Sequence, residues 1–235
     1  MNLFGKGSRL ERRMNPEVNT IRLLGVAQLF VFVAGLASEQ LLKSVVGSGG
    51  ISETLVNISE NISQTRISNL VALFNSLPIL TLGVLFYIVL NEQNKTLALV
   101  ALGCFTAEGI TLAVSKIGAF GLIPLSQHFV AAGSPESSYF QTLGDLLYKS
   151  VDRRGYDIHM LFFCAGGIIW YYLLYISRIV PAGLSLWGLI AICLLTIPTV
   201  ITLLDLDYLP AMVLGLPYAP FELVLGVWLI VKGFN

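Results

Sequence analysis

Long apolar blocks alternate with short polar breaks along this chain, and within each block the apolar positions occupy every side of a helical wheel rather than one stripe. A helix rising ~1.5 Å per residue needs about 20 mostly apolar residues to cross the hydrocarbon core of a bilayer. Six blocks reach that length, at 20–42, 67–90, 96–120, 157–177, 181–204 and 210–231. Charge or turn residues bound them: Lys43, Arg66, the run Asn91-Glu92-Gln93-Asn94-Lys95, Asp157, Arg178 with Pro181, and the stretch from Asp205 to Pro210. The pattern predicts an all-α integral membrane bundle of six transmembrane helices over 20–233, preceded by a basic arm over 1–19.

Two of the connections, of about 24 and about 36 residues, are longer than helix–helix links need and carry a pattern of their own. In the first, Ile51, Leu55, Ile58 and Ile62 recur at i, i+4, i+7 and i+11. In the second, Phe140, Leu143 and Leu147 mark one face, Tyr139 and Tyr148 supply interfacial aromatics, and Pro135 and Ser137 supply a start. Both read as short extracytoplasmic helices lying on the membrane surface or capping the bundle, as shields more readily than as a substrate gate.

Composition sharpens the picture. The chain is 55% apolar and 12% charged, with a mean hydropathy of +0.78. A soluble domain carries about twice that share of charge, and a disordered chain far fewer apolar residues. With 14 basic against 14 acidic residues the net charge is zero, so a nucleic-acid partner has no electrostatic support. Cys104, Cys164 and Cys193 all fall inside apolar blocks without C-x-x-C spacing, which reads as small buried hydrophobes rather than a disulfide framework or thiolate metal site. The sequons at Asn57 and Asn61 matter only in a eukaryotic secretory pathway.

Lys and Arg near the span ends set orientation. Lys6, Arg9, Arg12, Arg13, Arg22, Lys95, Arg178 and Lys232 fall on the side of the arm; Lys43, Arg66, Lys149, Arg153 and Arg154 fall opposite, with Lys116 inside the third block. Both termini are expected in the cytoplasm, with the protein in the cytoplasmic (inner) membrane. Gly35-Leu36-Ala37 has the small-x-small form of a cleavage site, but the long polar arm and the length of the first block favour a retained span.

An ionisable side chain at membrane depth costs about 2.5–3.5 kcal/mol even on the mildest scale, so it marks a candidate site. Glu108, ~18 Å from the start of its block at 1.5 Å per residue, lies near the midplane; Thr111 and Ser115 continue a polar stripe toward Lys116. Glu222 follows Pro217 and Pro220, which break the sixth block. Asn75 precedes Pro78, whose missing N–H frees a carbonyl that Asn75 or Ser76 is placed to serve. Glu39, His159 and Asp205 fall at the outer edge, with Lys116, Arg66 and Arg154 as nearby cations, while Gln28 reads as a helix–helix contact. The candidate ligand-binding set is Glu108, Glu222, Asn75, His159 and Glu39, around a polar cavity opening outward. The competing reading is that these groups only clamp helices together. A metal centre is disfavoured: the chain has two histidines, His128 is expected in a loop after Pro124, and neither H-x-x-x-H nor H-E-x-x-H occurs. No G-x-S-x-G supports a serine nucleophile. No cofactor is expected, and no catalytic residue is assigned.

In their order, several short motifs resemble a bacterial multi-pass membrane family, domain of unknown function 4386. They are Arg22-Leu23-Leu24-Gly25, Arg66, Asn94-Lys95-Thr96-Leu97-Ala98-Leu99 with Glu108 after it, and Phe162-Phe163 followed by Tyr172-Leu173, Ser177 and Pro181-Ala182-Gly183. The last is Glu222 with Trp228-Leu229-Ile230-Val231-Lys232-Gly233. Cys164 departs from the pattern, standing in place of a glycine expected in the fourth span. The resemblance implies a six-helix membrane protein, supplies no activity, and lends weight to Glu108 and Glu222, which fall on matching positions. Three functions stay open: a binder or transporter of a small or lipid-like ligand, a membrane-embedded enzyme acting on lipid or isoprenoid chains with Glu108 or His159 as general acid or base, and a structural or regulatory subunit. The expected partners are membrane lipids and a small-molecule or lipid ligand; oligomeric state is not legible.

Overall fold

A computed structural model of the chain describes residues 18–47, 49–135, 139–206 and 213–232. Most of the basic arm, Ser137 and Pro210 lie outside them. Among the described residues there is no strand, and six helical stretches are long and apolar enough to cross a membrane. In chain order the helices are α1 (Val18–Val46), α2 (Ile51–Glu60), α3 (Ile62–Leu90), α4 (Lys95–Ala131), α5 (Tyr139–Asp145), α6 (Arg154–Ser177), α7 (Ala182–Leu203) and α8 (Tyr218–Lys232). A π-helical segment, Leu146–Arg153, joins α5 to α6, and a 3₁₀ turn, Val213–Gly215, precedes α8.

The spanning helices close a ring in which α1 packs between α3 and α8, α3 on α4, α4 on α6, α6 on α7, and α7 on α8. Local chemistry sets the ends. The Asn94 side chain accepts the Leu97 N–H at 3.0 Å and starts α4. Arg178, with φ of 58°, turns the chain through the left-handed region to end α6 before Pro181.

In the first four spans polar residues start the helices earlier, or end them later, than the apolar blocks alone suggest. The fifth keeps to its block within a residue, and the sixth, expected from 210, is α-helical among the described residues only from Tyr218. The second span begins at Ile62 rather than near 67, one residue after the surface helix α2. The third continues to Ala131, so Pro124 lies within α4 and His128 is in its last turn, not in a loop. The second surface element is only partly α-helical: its π segment runs directly into α6. The sixth helix is the shortest span. Pro217 lies just outside α8, and Pro220 fits the first turn, where a missing N–H costs nothing.

Two apolar clusters fill the ring. One, nearer the start of α1, is built around Trp170, fully buried and stacked on Phe86 at 5.3 Å with Phe105 edge-on at 6.1 Å. The other lies under the surface helices and joins Leu55, Ile58, Leu122, Phe129 and Phe140. Between them the inward positions are polar: Gln28 on α1, Ser68, Asn69 and Asn75 on α3, Glu108 and Lys116 on α4, and His159 on α6 are all buried. The π segment reaches this layer because α4 carries glycine there; a Cβ at Gly118 would stand 2.5 Å from the Leu147 carbonyl oxygen. Cys164, at the unexpected position of the fourth span, is fully buried, its Sγ 3.8 Å from Thr199 Oγ1 on α7.

Candidate functional site

The polar layer contains a cavity of about 170 Å³. Asn75 from α3, Glu108 from α4, His159 from α6 and Glu222 from α8 all line it, so four of the five residues singled out in the sequence share one space. Glu39, the fifth, lines a smaller adjoining space of about 60 Å³ with Ser38, Ser68, Asn69 and Lys116. Gly35, Asn75, Tyr156 and His159 border both spaces, which makes them two compartments of one site.

Glu222 is tied down by the protein. Its Oε1 accepts Gln28 Nε2–H from α1 at 2.7 Å and the Tyr218 hydroxyl at 3.2 Å. The Tyr218 hydroxyl also bonds Tyr171 on α6, so α1, α6 and α8 meet through this carboxyl.

Glu108 is different. His159 Nε2 stands 3.6 Å from its Oε1, and its Oε2 is buried with no hydrogen-bond partner. His159 Nδ1 lies 3.2 Å from the Tyr156 carbonyl, which can only accept, so Nδ1 carries the hydrogen. In the neutral ring Nε2 is then an acceptor. A bond across to Glu108 therefore requires one extra proton, on either the carboxyl or the ring.

Asn75 does not serve the carbonyl freed by Pro78. Its Nδ2 donates across to the Val31 carbonyl of α1 at 3.2 Å. Ser76 donates to Leu73 at 2.6 Å. Asn75 Oδ1 is left buried without a partner. Two acceptors, Glu108 Oε2 and Asn75 Oδ1, are thus unmatched in residues of one cavity, and a buried unmatched acceptor costs about 1–3 kcal/mol unless something meets it.

Three cations near the site are engaged by carboxylates. Lys116 Nζ donates to Asp152 Oδ1 at 2.6 Å, both side chains more than nine-tenths buried. Arg153 grips Glu39 with Nη2 at 3.1 Å from Oε1 and Nη1 at 3.4 Å from Oε2, and its guanidinium lies over the Tyr156 ring at 5.3 Å. Arg154 bonds Asp205 and the carbonyl of Thr202 at 2.9 Å, capping α7. Asp205 therefore belongs to a helix end and not to the cavity, and Arg66 is exposed. Among the described residues no group of three or more His, Cys, Asp and Glu side chains is placed to hold a metal ion.

Sequence reasoning missed Asp152, Arg153, Tyr156 and Tyr218. Asp152 had one available signal. A lysine inside an apolar block demands an anion, and the run from Lys149 to Asp157 is a polar stretch that ends where an apolar block begins.

No curated protein and no solved structure matches the chain. The family model described as a domain of unknown function, number 4386, matches residues 23–233. The six-helix bundle and its buried polar layer are therefore those of a chain that belongs to the domain of unknown function 4386 family.

Proposed function

We propose that this membrane protein binds a small ligand bearing hydrogen-bond donors in the cavity between its two apolar clusters, with Glu108 and Asn75 as the receiving groups. The observation that carries this reading is the pair of unpartnered buried acceptors on residues lining one cavity. Asn75 ties α3 to α1 through its Nδ2, but clamping accounts neither for its Oδ1 nor for Glu108 Oε2. Glu222 is a clamp, and is assigned to holding α1, α6 and α8 together. His159 orients beside Glu108, and Glu39 with Arg153 closes the adjoining compartment.

The test is native mass spectrometry of the protein released from lipid nanodiscs. A co-purified molecule is expected on the natural chain. Its occupancy should fall at least tenfold in Glu108→Gln, a change that keeps size and removes one carboxylate oxygen, while the unfolding midpoint moves little. Unchanged occupancy with an altered midpoint would make Glu108 a clamp as well and end the binding proposal.

The bias of Lys and Arg toward the arm side supports a position in the bacterial cytoplasmic membrane with both termini inside and α2 and α5 outside. Reporter fusions check this. Alkaline phosphatase should be active when fused in the α4–α5 connection and inactive after α8; the reverse pattern would invert the cavity to face the cytoplasm.

A further inference from the structure

The two compartments differ in what they can hold. The smaller, at about 60 Å³, is well below the ~150 Å³ of a cavity that admits benzene. A water needs roughly 10–15 Å³ of such space and two or more polar partners. The lining supplies them. Asn69 Nδ2 is a buried donor without a partner and Asn75 Oδ1 a buried acceptor without one, and water accepts from the first and donates to the second. An amide oxygen has two lone pairs, so Asn75 Oδ1 can take one bond from each compartment. His159 borders both spaces, and its ring links the smaller one to Glu108, which borders only the larger.

With Nδ1–H turned to the Tyr156 carbonyl, His159 Nε2 presents a lone pair to Glu108 Oε1 at 3.6 Å, and an ionised carboxyl presents only lone pairs in return. One added proton turns two facing acceptors into a donor and an acceptor, whichever atom carries it. It also leaves the pair without net charge inside a low-dielectric bundle. Among the described residues, no cation is left to take that role. Lys116 of α4 is matched by Asp152, and Arg153 by Glu39 of α1. From α8, Glu222 lines the larger cavity bonded to Gln28 and Tyr218; from α6, Tyr171 bonds Tyr218, and Tyr156 lies beside the His159 ring. The thiols Cys104 and Cys164 are also within electrostatic reach of Glu108. The α3 and α7 residues that line the two spaces carry no titratable group. We infer that Glu108 and His159 form a proton-binding site that exchanges its proton with water held in the smaller compartment. A hydronium there gives a proton to Nε2, breaking one O–H bond and forming one N–H bond, and is left as water; unloading reverses the step. The site stands whether or not a ligand occupies the larger cavity. It gives Glu108 two states: unloaded, both oxygens accept freely; loaded, Oε1 is committed to His159 and Oε2 alone still accepts.

The chain has two histidines, so isotope-labelled histidine reports on two rings and His128→Gln leaves His159 alone. Solid-state NMR of the full chain in lipid bilayers should show Nδ1 protonated throughout. Nε2 should pass from a bare to a hydrogen-bonded nitrogen between about pH 9 and about pH 5. Infrared difference spectra should show a carboxyl band changing over the same range and lost in Glu108→Gln. The glutamine can serve Nε2 with its own N–H, so the His159 step should move by at least tenfold in proton concentration. Magnetisation transfer from water to His159 should fall at least fivefold in Ala72→Leu, which fills the smaller compartment. It should fall as far in Asn69→Leu, which keeps the volume and removes the unmatched donor; if Ala72→Leu fails to fold, Asn69→Leu decides. A ring and carboxyl that keep one state across this range overturn the proton site. A step unmoved by Glu108→Gln overturns the pairing, and water transfer unchanged in the folded variants overturns the exchange through the compartment. None of these readouts depends on ligand occupancy, so the binding proposal stands or falls separately.

Discussion

Removing Asp152 should be among the most damaging single changes in this protein. Lys116 and Asp152 face each other at 2.6 Å with almost no solvent contact, 36 residues apart in sequence. Asp152→Asn or Lys116→Met leaves the other charge buried alone, which typically costs about 3–5 kcal/mol. The double change Lys116→Met with Asp152→Leu removes both charges and should recover most of that loss. Thermal unfolding in detergent, followed by fluorescence, reads the difference. If the single variants melt with the natural protein, the pair is solvated and does not hold the π segment against α4.

Gly25→Leu should do comparable harm by a different route. Here α1 and α8 approach so closely that a Cβ on Gly25 would stand 2.7 Å from the Gly226 carbonyl oxygen and 2.9 Å from the Ile230 backbone nitrogen. Backbone atoms cannot step aside as a side chain can, so the helices must separate. Overpacking of this kind costs about 1–3 kcal/mol and at times more. Helix association inside a membrane depends on such close packing, because lipid already solvates the apolar surface. Separation also pulls Gln28, one turn on from Gly25 in α1, away from Glu222, one turn back from Gly226 in α8. A lower unfolding midpoint should therefore come with protease sensitivity around α8. If Gly25→Leu shows neither, the two helices are not held at this distance.

Both contacts join residues far apart in the chain, which bears on what a sequence can reveal. The six spans were legible because a bilayer imposes a length, and twenty apolar residues in a row have few other uses. Glu108 and Asn75 were legible for the converse reason, as polar groups where polarity is costly. Their partners were not. Asp152 sits in the polar run Lys149–Asp157, where nothing local says that one carboxylate turns inward and is lost to solvent. A π-helical segment shifts the register by which such a run would be read. Tyr218 carries no signal in its own neighbourhood, and only the close approach of α6 and α1 turns its hydroxyl into part of a clamp. His128 and the end of α4 were misplaced because a proline early in a polar stretch looks like a stop. Packing under α2 and α5 carries the helix past it. Apolar length is a local property, whereas pairing across the bundle depends on residues far apart in the chain.

The length of the sixth span reaches beyond the protein itself. With the 3₁₀ turn before α8 it runs Val213–Lys232, 20 residues, and rises about 30 Å, the thickness of an average hydrocarbon core with nothing to spare. The 29-residue α1 and α3 have length in hand and accommodate a thicker bilayer by changing tilt. The sixth span has no such reserve, so a membrane thicker than average should strain this side of the protein first, at a fraction of a kcal/mol for each ångström of mismatch.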